Sequence, residues 1–531
     1  MAKSGEKFEI RIESILGGHS VAQFFAEEDQ FQTSLGIDPG IYSSGYNLGN
    51  YKASGLIVPV ACTDFSQTLV SAPMWMNSNP KDGNIYVSDY AGSVYTIAIS
   101  GQTVTELGDL NDGGTSQGNG QEYYDNYIYF SRSTSIARYG PLDGTAAFTD
   151  DYWVGTLGKT ALTNTSYPKI STYSNQLPNH VLKRHSDGKL YFADVVGNQG
   201  YLHYIKTTKT TVEGDTDDGS TYQKLAFGYG LWPTAIESYG SDLVIALYEG
   251  SNNQTKEGHA KIAFWDTTSD RFYQIIWEEF PDTIITGLKN INGTLYIFSC
   301  NTRTTGVRVS QYVGGNSIKE LIYLPESTPP FPGAIDGEAN RLLFGSSTTY
   351  PETASCVFSI GLQNNNLSNG VFCVMRGTES GLVTSLKFVG NNPFTFNLPI
   401  IGLGTGRINS SNASSLPTAS PPVWWSKIYR IGRQFKITKV RIPLVDEIGA
   451  NVTLIPKLYI DIGSGLRPIT LQTINSTNYP AGDNSNGSTT VVLRPEGAVG
   501  FYSFFLELRW TGNSGVAVGL PITIEYEILH D

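Results

Sequence analysis

Cysteine is nearly absent from this chain: four in 531 residues, at Cys62, Cys300, Cys356 and Cys373. None forms a C-x-x-C pair, and four are too sparse for a disulfide scaffold. Free buried thiols are expected, with a Cys356–Cys373 bridge as the alternative. Charge is scarce as well, at 16% of residues against roughly 25% in soluble domains. No run of about 18 apolar residues occurs, so no membrane-spanning helix is expected. The only basic cluster is Lys206 to Lys209, and the net charge is -12 with a pI near 5.1. That balance excludes a sequence-independent nucleic-acid binder, which needs a basic stripe against phosphate. The opening residues Met1 to Phe8 carry no apolar signal-peptide core, so synthesis in a cytoplasm without a leader is expected. Neither H-E-x-x-H nor a P-loop is present.

What the chain does have is a recurring phrase. Asp82-Gly83-Asn84-Ile85-Tyr86-Val87 returns as Asp187-Gly188-Lys189-Leu190-Tyr191-Phe192. Looser copies start at Asp125 and Asn292, and weaker ones at Ser241, Asn340 and Asn391. Each is a turn leading into an alternating strand, and most follow an apolar stretch such as Trp232-Pro233-Thr234-Ala235-Ile236 or Val383-Thr384-Ser385-Leu386. The marker residues are Tyr86, Tyr129, Tyr191, Val244, Tyr296, Leu343 and Phe394, spaced 43, 62, 53, 52, 47 and 51 apart. Propeller blades recur at roughly 40 to 50 residues. The expected fold is therefore all-β, with a six- or seven-bladed β-propeller; unrelated hairpins in a large sandwich are the alternative.

Composition divides the chain further. Residues 1–60 miss the repeat and read as an extended N-terminal arm, with Phe8 to Glu13 alternating strictly. Leu56 to Ala61 reads as a strand closing the ring. The arm's apolar residues need cover from the propeller, the C-terminal domain or a neighbouring subunit. Residues 61–407 hold the propeller, 408–422 are a Ser-, Asn- and Pro-rich linker, and 423–531 carry about seven alternating strands, expected as a C-terminal β-sandwich.

Candidates for chemistry are few. Asp215, Asp217 and Asp218 sit in a glycine-bracketed loop whose oxygens suit Ca²⁺, though the distal Glu of an EF-hand is missing; a solvated acidic hairpin tip is the alternative reading. His180, His185 and His203 lie near one blade at spacings matching no metal pattern. Glu278-Glu279 and Asp150-Asp151 are adjacent pairs, and neighbours on a strand point to opposite faces. Carboxylates from different blades could still meet at a central channel. No catalytic residue and no cofactor is assigned.

Trp424 to Ile431, followed by Phe435 to Leu444, resembles the C-terminal module of uncharacterised structural proteins from tailed-phage and metagenomic viral genomes. Gly36-Ile37-Asp38-Pro39 and Gly55 to Val60 are similar to the start of the same proteins. The resemblance covers both ends and transfers no catalytic residue. It implies a non-enzymatic virion component, such as a tail nozzle or tip, a fibre-associated protein or a capsid decoration. The expected partners are other virion proteins, copies of the same chain, and a host-surface glycan as a candidate ligand. The alternative functions are a surface glycan-binding (receptor-binding) propeller and, with less support, a glycan hydrolase.

Overall fold

Turn chemistry fixes the hairpins. Asp125 and Asn126 both adopt positive φ (46° and 69°), as do Asn292 and Gly293 (48° and 80°). Two consecutive left-handed residues make the tight hairpin turn whose twist matches the flanking strands. The computed structural model describes residues 6–20, 26–37, 57, 59–60, 62–65, 67–80, 83–98, 103–110, 120–131, 136–153, 181–196, 199–206, 225–249, 258–276, 280–301, 306–338, 341–349, 352–361, 370–379, 381–389, 399–410, 416, 421–445, 448, 452–461, 466–473, 490–496, 500–512 and 516–529.

These hairpins build seven four-stranded antiparallel sheets. Their first strands are Pro73–Ser78, Gln121–Tyr124, Leu182–Arg184, Leu231–Tyr239, Ile284–Ile291, Ile335–Glu338 and Val383–Phe388. Each first strand lies beside the next, and Val383–Phe388 returns beside Pro73–Ser78. The chain is a seven-bladed β-propeller, with blades 1 to 7 in sequence order and the first strand innermost. Four innermost strands carry a β-bulge at one equivalent place: register shifts between Pro73 and Trp75, Pro233 and Ala235, Ile285 and Gly287, and Val383 and Ser385. The skipped residue is Met74, Thr234, Thr286 or Thr384. A bulge bends and twists a strand, and here it does so where the strands crowd together.

Aromatic side chains fill the space between neighbouring strands and blades. Tyr191 meets Trp265 edge-on at 5.9 Å, Phe264 meets Tyr312 at 4.9 Å, and Phe298 meets Phe344 at 5.2 Å. Ring closure uses the N-terminal side of the chain, but not the expected apolar stretch. Thr63–Asp64 forms the outermost strand of blade 7, pairing with Ile408–Ser410. Ile57 instead bridges Val518. Backbone pairing holds Thr63–Asp64, with Asp64 held also by Arg407 and Asn409, while Ile57 is fully buried. The linker expectation also shifts: residues 408–410 are a blade strand, and Leu416 is buried with its N–H bonded to Gly512.

The strands expected as a C-terminal sandwich join strands of the arm in one hydrogen-bonded network. That network has eleven strands, ordered Lys7–Ile12, Ile522–Ile528, Tyr429–Pro443, Phe501–Gly512, Val423–Ser426, Gln30–Leu35 and Gly18–His19, with four further strands attached. Tyr429–Pro443 pairs with Phe501–Gly512 at one end and with Ile522–Ile528 and Thr490–Pro495 further on. Register shifts at Arg430/Phe435 and Ile437/Lys439 mark where it changes partner.

Three strands of that sheet belong to the arm, so the arm is covered by its own chain. Phe31 is 1% exposed, and packs against Trp424 of the C-terminal region (6.3 Å) and Phe372 of blade 6 (5.7 Å). Gln30–Leu35 also runs beside Val371–Arg376, the outermost strand of blade 6, where Cys373 N–H donates to the Ser34 hydroxyl and Ile37 N–H to the Cys373 carbonyl. The blade edge, which would otherwise offer unpaired backbone groups, is thereby covered. All four cysteines are buried free thiols, Cys356 and Cys373 on neighbouring strands of blade 6.

Phe31→Ala is expected to lower stability by about 3–5 kcal/mol, as for other fully buried aromatic truncations. Denaturant unfolding of the full chain measures it. A loss below about 1 kcal/mol would show that the arm is not part of the cooperative core.

Candidate functional site

The innermost strands converge on a central channel, and each contributes one side chain at the same level. These are Asn77, Glu122, Lys183, Glu237, Lys289, Asp336 and Lys387, all lining one cavity. Their equivalence is set by register. They sit directly opposite Tyr86, Tyr129, Tyr191, Val244, Tyr296, Leu343 and Ile400 on the second strands. Six of those seven are the marker residues of the sequence repeat. The seventh marker, Phe394, lies outside the described residues.

Read around the channel, the charges run neutral, minus, plus, minus, plus, minus, plus. Seven positions cannot alternate completely, and Asn77 takes the odd place. Lys183 Nζ lies 2.7 Å from Glu237 Oε1, and Lys289 Nζ lies 2.7 Å from Asp336 Oδ1. Lys387 Nζ lies 2.9 Å from Asp336 Oδ2, which also accepts the Phe388 N–H at 2.9 Å. Burial disfavours the charged form of Asp336, but the two lysines and the backbone donor outweigh it and hold the carboxyl below the usual range. Burial likewise opposes the charge on Lys289, and Asp336 and Glu237 overcome it, leaving the ammonium harder to deprotonate. Glu122 is different. Burial pushes its pKa up, and Lys183 only partly opposes that. Lys183 is committed to Glu237, and no hydrogen bond or ion pair reaches the Glu122 carboxylate among the described residues. The side-chain carbonyl of Asn77 is also buried without a partner.

The remaining cavity measures ≈ 100 Å³. That is room for about three waters at ~30 Å³ each, against roughly 300–1,000 Å³ for a small-molecule site. The channel at this level is filled by its own side chains, and two of its three carboxylates, Glu237 and Asp336, are paired with lysines.

The structure scatters the candidates read from the sequence. Asp215, Asp217, Asp218 and the Glu278-Glu279 pair lie outside the described residues. Asp150 and Asp151 are on the outermost strand of blade 2, Ala147–Trp153, away from the channel. His180 is outside the described residues. His185 is buried between blades, its Nδ1 2.8 Å from the Ser238 hydroxyl and its Nε2 3.2 Å from the Ser241 carbonyl. His203 stacks on Phe192 at 5.0 Å. Among the described residues no group of three His, Cys, Asp or Glu could hold a metal. Gly114-Thr115-Ser116-Gln117-Gly118 spells G-x-S-x-G. It lies outside the described residues. The ring residues themselves had a usable signal: in blades 1 to 6 each stands seven to nine positions before its marker.

Asp336→Asn is expected to cost about 3 kcal/mol near neutral pH, because it leaves two partly buried lysines without their counter-charge. The folded-state pKa of Asp336 lies below its unfolded value. Its contribution is therefore complete above the unfolded value, near pH 4, and is lost as pH falls through the lower folded value. Denaturant unfolding of wild type and variant across pH measures this. Equal stability at neutral pH would mean that Asp336 is not what neutralises the lysines.

No protein-family model matches the chain, and no curated protein matches it. Among solved structures it is similar to the computationally designed Ika8 protein, at 14% identity and a TM-score of 0.36, covering 64% of this chain and 97% of that one. It is also similar to the β-propeller domain of Cps50 (Swd1) from Myceliophteria thermophila, at 11% identity and a TM-score of 0.40, covering 65% and 98%.

Proposed function

We propose that this chain is a non-enzymatic structural component of a bacteriophage-like virion, assembling through its β surfaces. The observation that carries the non-enzymatic part is the self-paired charge ring. Two of its three acids, Glu237 and Asp336, are spent on lysines of the same chain, and the space left holds only a few waters. Such a channel stabilises a scaffold more readily than it binds and turns over a polymer. The arm, blade 6 and the C-terminal sheet share one apolar core, which suits a part that must keep its shape outside a cell. The virion setting rests on the likeness of both ends to viral structural proteins. Among the described residues no helix is long and apolar enough to cross a membrane.

Immunogold electron microscopy on the source culture tests this reading, with an antibody raised to the purified protein. Gold on particles is expected, at a vertex or tail for a tail component and over the shell for a decoration protein. Bare particles with gold on cells or in the medium would overturn it. A second reading, glycan binding, draws on Tyr229 and Tyr273, which are 81% and 55% exposed. The Tyr273 hydroxyl donates to Asp242 at 2.6 Å, and an exposed ring beside a carboxylate is a surface on which a sugar can stack and bond. If sugars bind there, Tyr273→Ala removes retention on a glycan array; no retention of wild type would end that reading.

A further inference from the structure

Strand Lys7–Ile12 is the end strand of the eleven-stranded sheet. On one side it pairs with Ile522–Ile528, from Lys7↔Glu527 to Ile12↔Ile522. Among the described residues no strand pairs with its other side. Lys7, Glu9, Arg11 and Glu13 are exposed on one face, while Phe8, Ile10 and Ile12 point the other way, Ile12 fully buried. Phe8 stacks on Tyr526 at 5.5 Å.

Charges on an edge strand ordinarily block pairing with another edge. Here their signs alternate, and the order is self-complementary. Place a second copy antiparallel to the first, with Ile10 opposite Ile10. Then Glu9 faces Arg11, Lys7 faces Glu13 and Phe8 faces Ile12, each pair twice by symmetry. Centring on Phe8 or Ile12 makes only half as many charge pairs, Lys7 with Glu9 or Arg11 with Glu13, and the remaining registers set like charges or unlike faces together. Centring on Glu9 sets Glu9 against itself and Lys7 against Arg11. Centring on Arg11 sets Arg11 against itself and Glu9 against Glu13. A one-residue slip turns the apolar face of one copy to the charged face of the other.

The sheet also leaves Glu9 wanting a cation. Its neighbour across the strand pair is Glu525, and like charges directly opposite are destabilising. Glu525 is served by Arg441, whose Nε and Nη2 both donate to it at 3.0 Å. Among the described residues Glu9 has only Arg11 on its own strand, at 3.4 Å, and Arg11 is shared with Glu13 at 3.5 Å. Those three side chains are 47%, 53% and 68% exposed, so their mutual contacts are weak in water and free to be exchanged.

We infer that two copies of this chain pair edge to edge through Lys7–Ile12, in the register centred on Ile10, making a twofold dimer whose two sheets are continuous. Such an interface is isologous and closes on itself. It names a surface for the self-association in the proposed function, but is tested on purified protein, so its failure is separate from failure of particle labelling.

The experiment is sedimentation equilibrium of the full chain from about 1 to 100 µM, a range that brackets micromolar dimerisation. Wild type is expected to show a monomer–dimer equilibrium that weakens with salt, because the paired charges are at the surface. Glu9→Arg or Arg11→Glu alone sets like charges opposite at two symmetric places, and should raise the dissociation constant roughly tenfold or more. The double variant E9R/R11E, and an equimolar mixture of the two single variants, should each restore dimers, because both recover every opposite-sign pair. Both altered residues are exposed, and circular dichroism of each variant checks that the sheet is intact. A wild type monomeric throughout overturns the inference. So do single variants that dimerise as wild type does, which would place the interface elsewhere, or a double variant no better than the singles.

Discussion

The packing of seven innermost strands side by side around one channel is the constraint on which the propeller depends. Each strand brings one polar side chain to the same level, and six of the seven are ionisable. A buried charge is costly unless it is paired. Alternating lysines with carboxylates lets each blade supply what its neighbour lacks, as Lys183 does for Glu237 and Lys289 for Asp336. With an odd number of blades one position must break the alternation, and a neutral Asn77 breaks it without adding charge. The strain of the arrangement falls on Glu122, beside Asn77, whose carboxyl is pushed toward its protonated form.

The two ends of the chain complete what the blades cannot do alone. Asp64 closes blade 7 and is held by Arg407 Nη1 at 2.6 Å and Asn409 Nδ2 at 3.1 Å. Gln30–Leu35 shields blade 6 and, on its other side, pairs with Val423–Ser426 of the C-terminal region. Arg376 of blade 6 and Arg509 of the C-terminal sheet share Glu352, at 2.9 and 3.4 Å. Blade 6 is thus gripped from two directions by segments that meet only in three dimensions. The arm is better described as part of the sheet than as an appendage.

Much of the blade pattern was legible because it is local. Tyr86, Tyr129, Tyr191 and Tyr296 announced second strands, and register confirms that each faces a channel residue. The channel itself was not legible. Lys183 or Lys289, read alone on a strand, looks like an ordinary solvated residue. It becomes part of a ring only when residues more than 300 positions apart, such as Asn77 and Lys387, line the same cavity. The closing strand was missed by a few residues for a related reason. Apolarity drew attention to Leu56–Ala61, whereas an outer strand is held by backbone pairing and Thr63–Asp64 needs no apolar side chain.

The sequence by itself determined the strands, their turns and their repetition. Alternation of apolar residues and left-handed turn residues such as Asp125-Asn126 and Asn292-Gly293 act within a few positions, so neighbours in the chain encode them. Tertiary structure alone decided that the ring has seven blades, that its charges cancel, and that Thr33 pairs with Trp425 across nearly 400 residues to merge both ends into one sheet. Those outcomes depend on which distant strands can close together and bury their faces at once. No local run of residues carries that information.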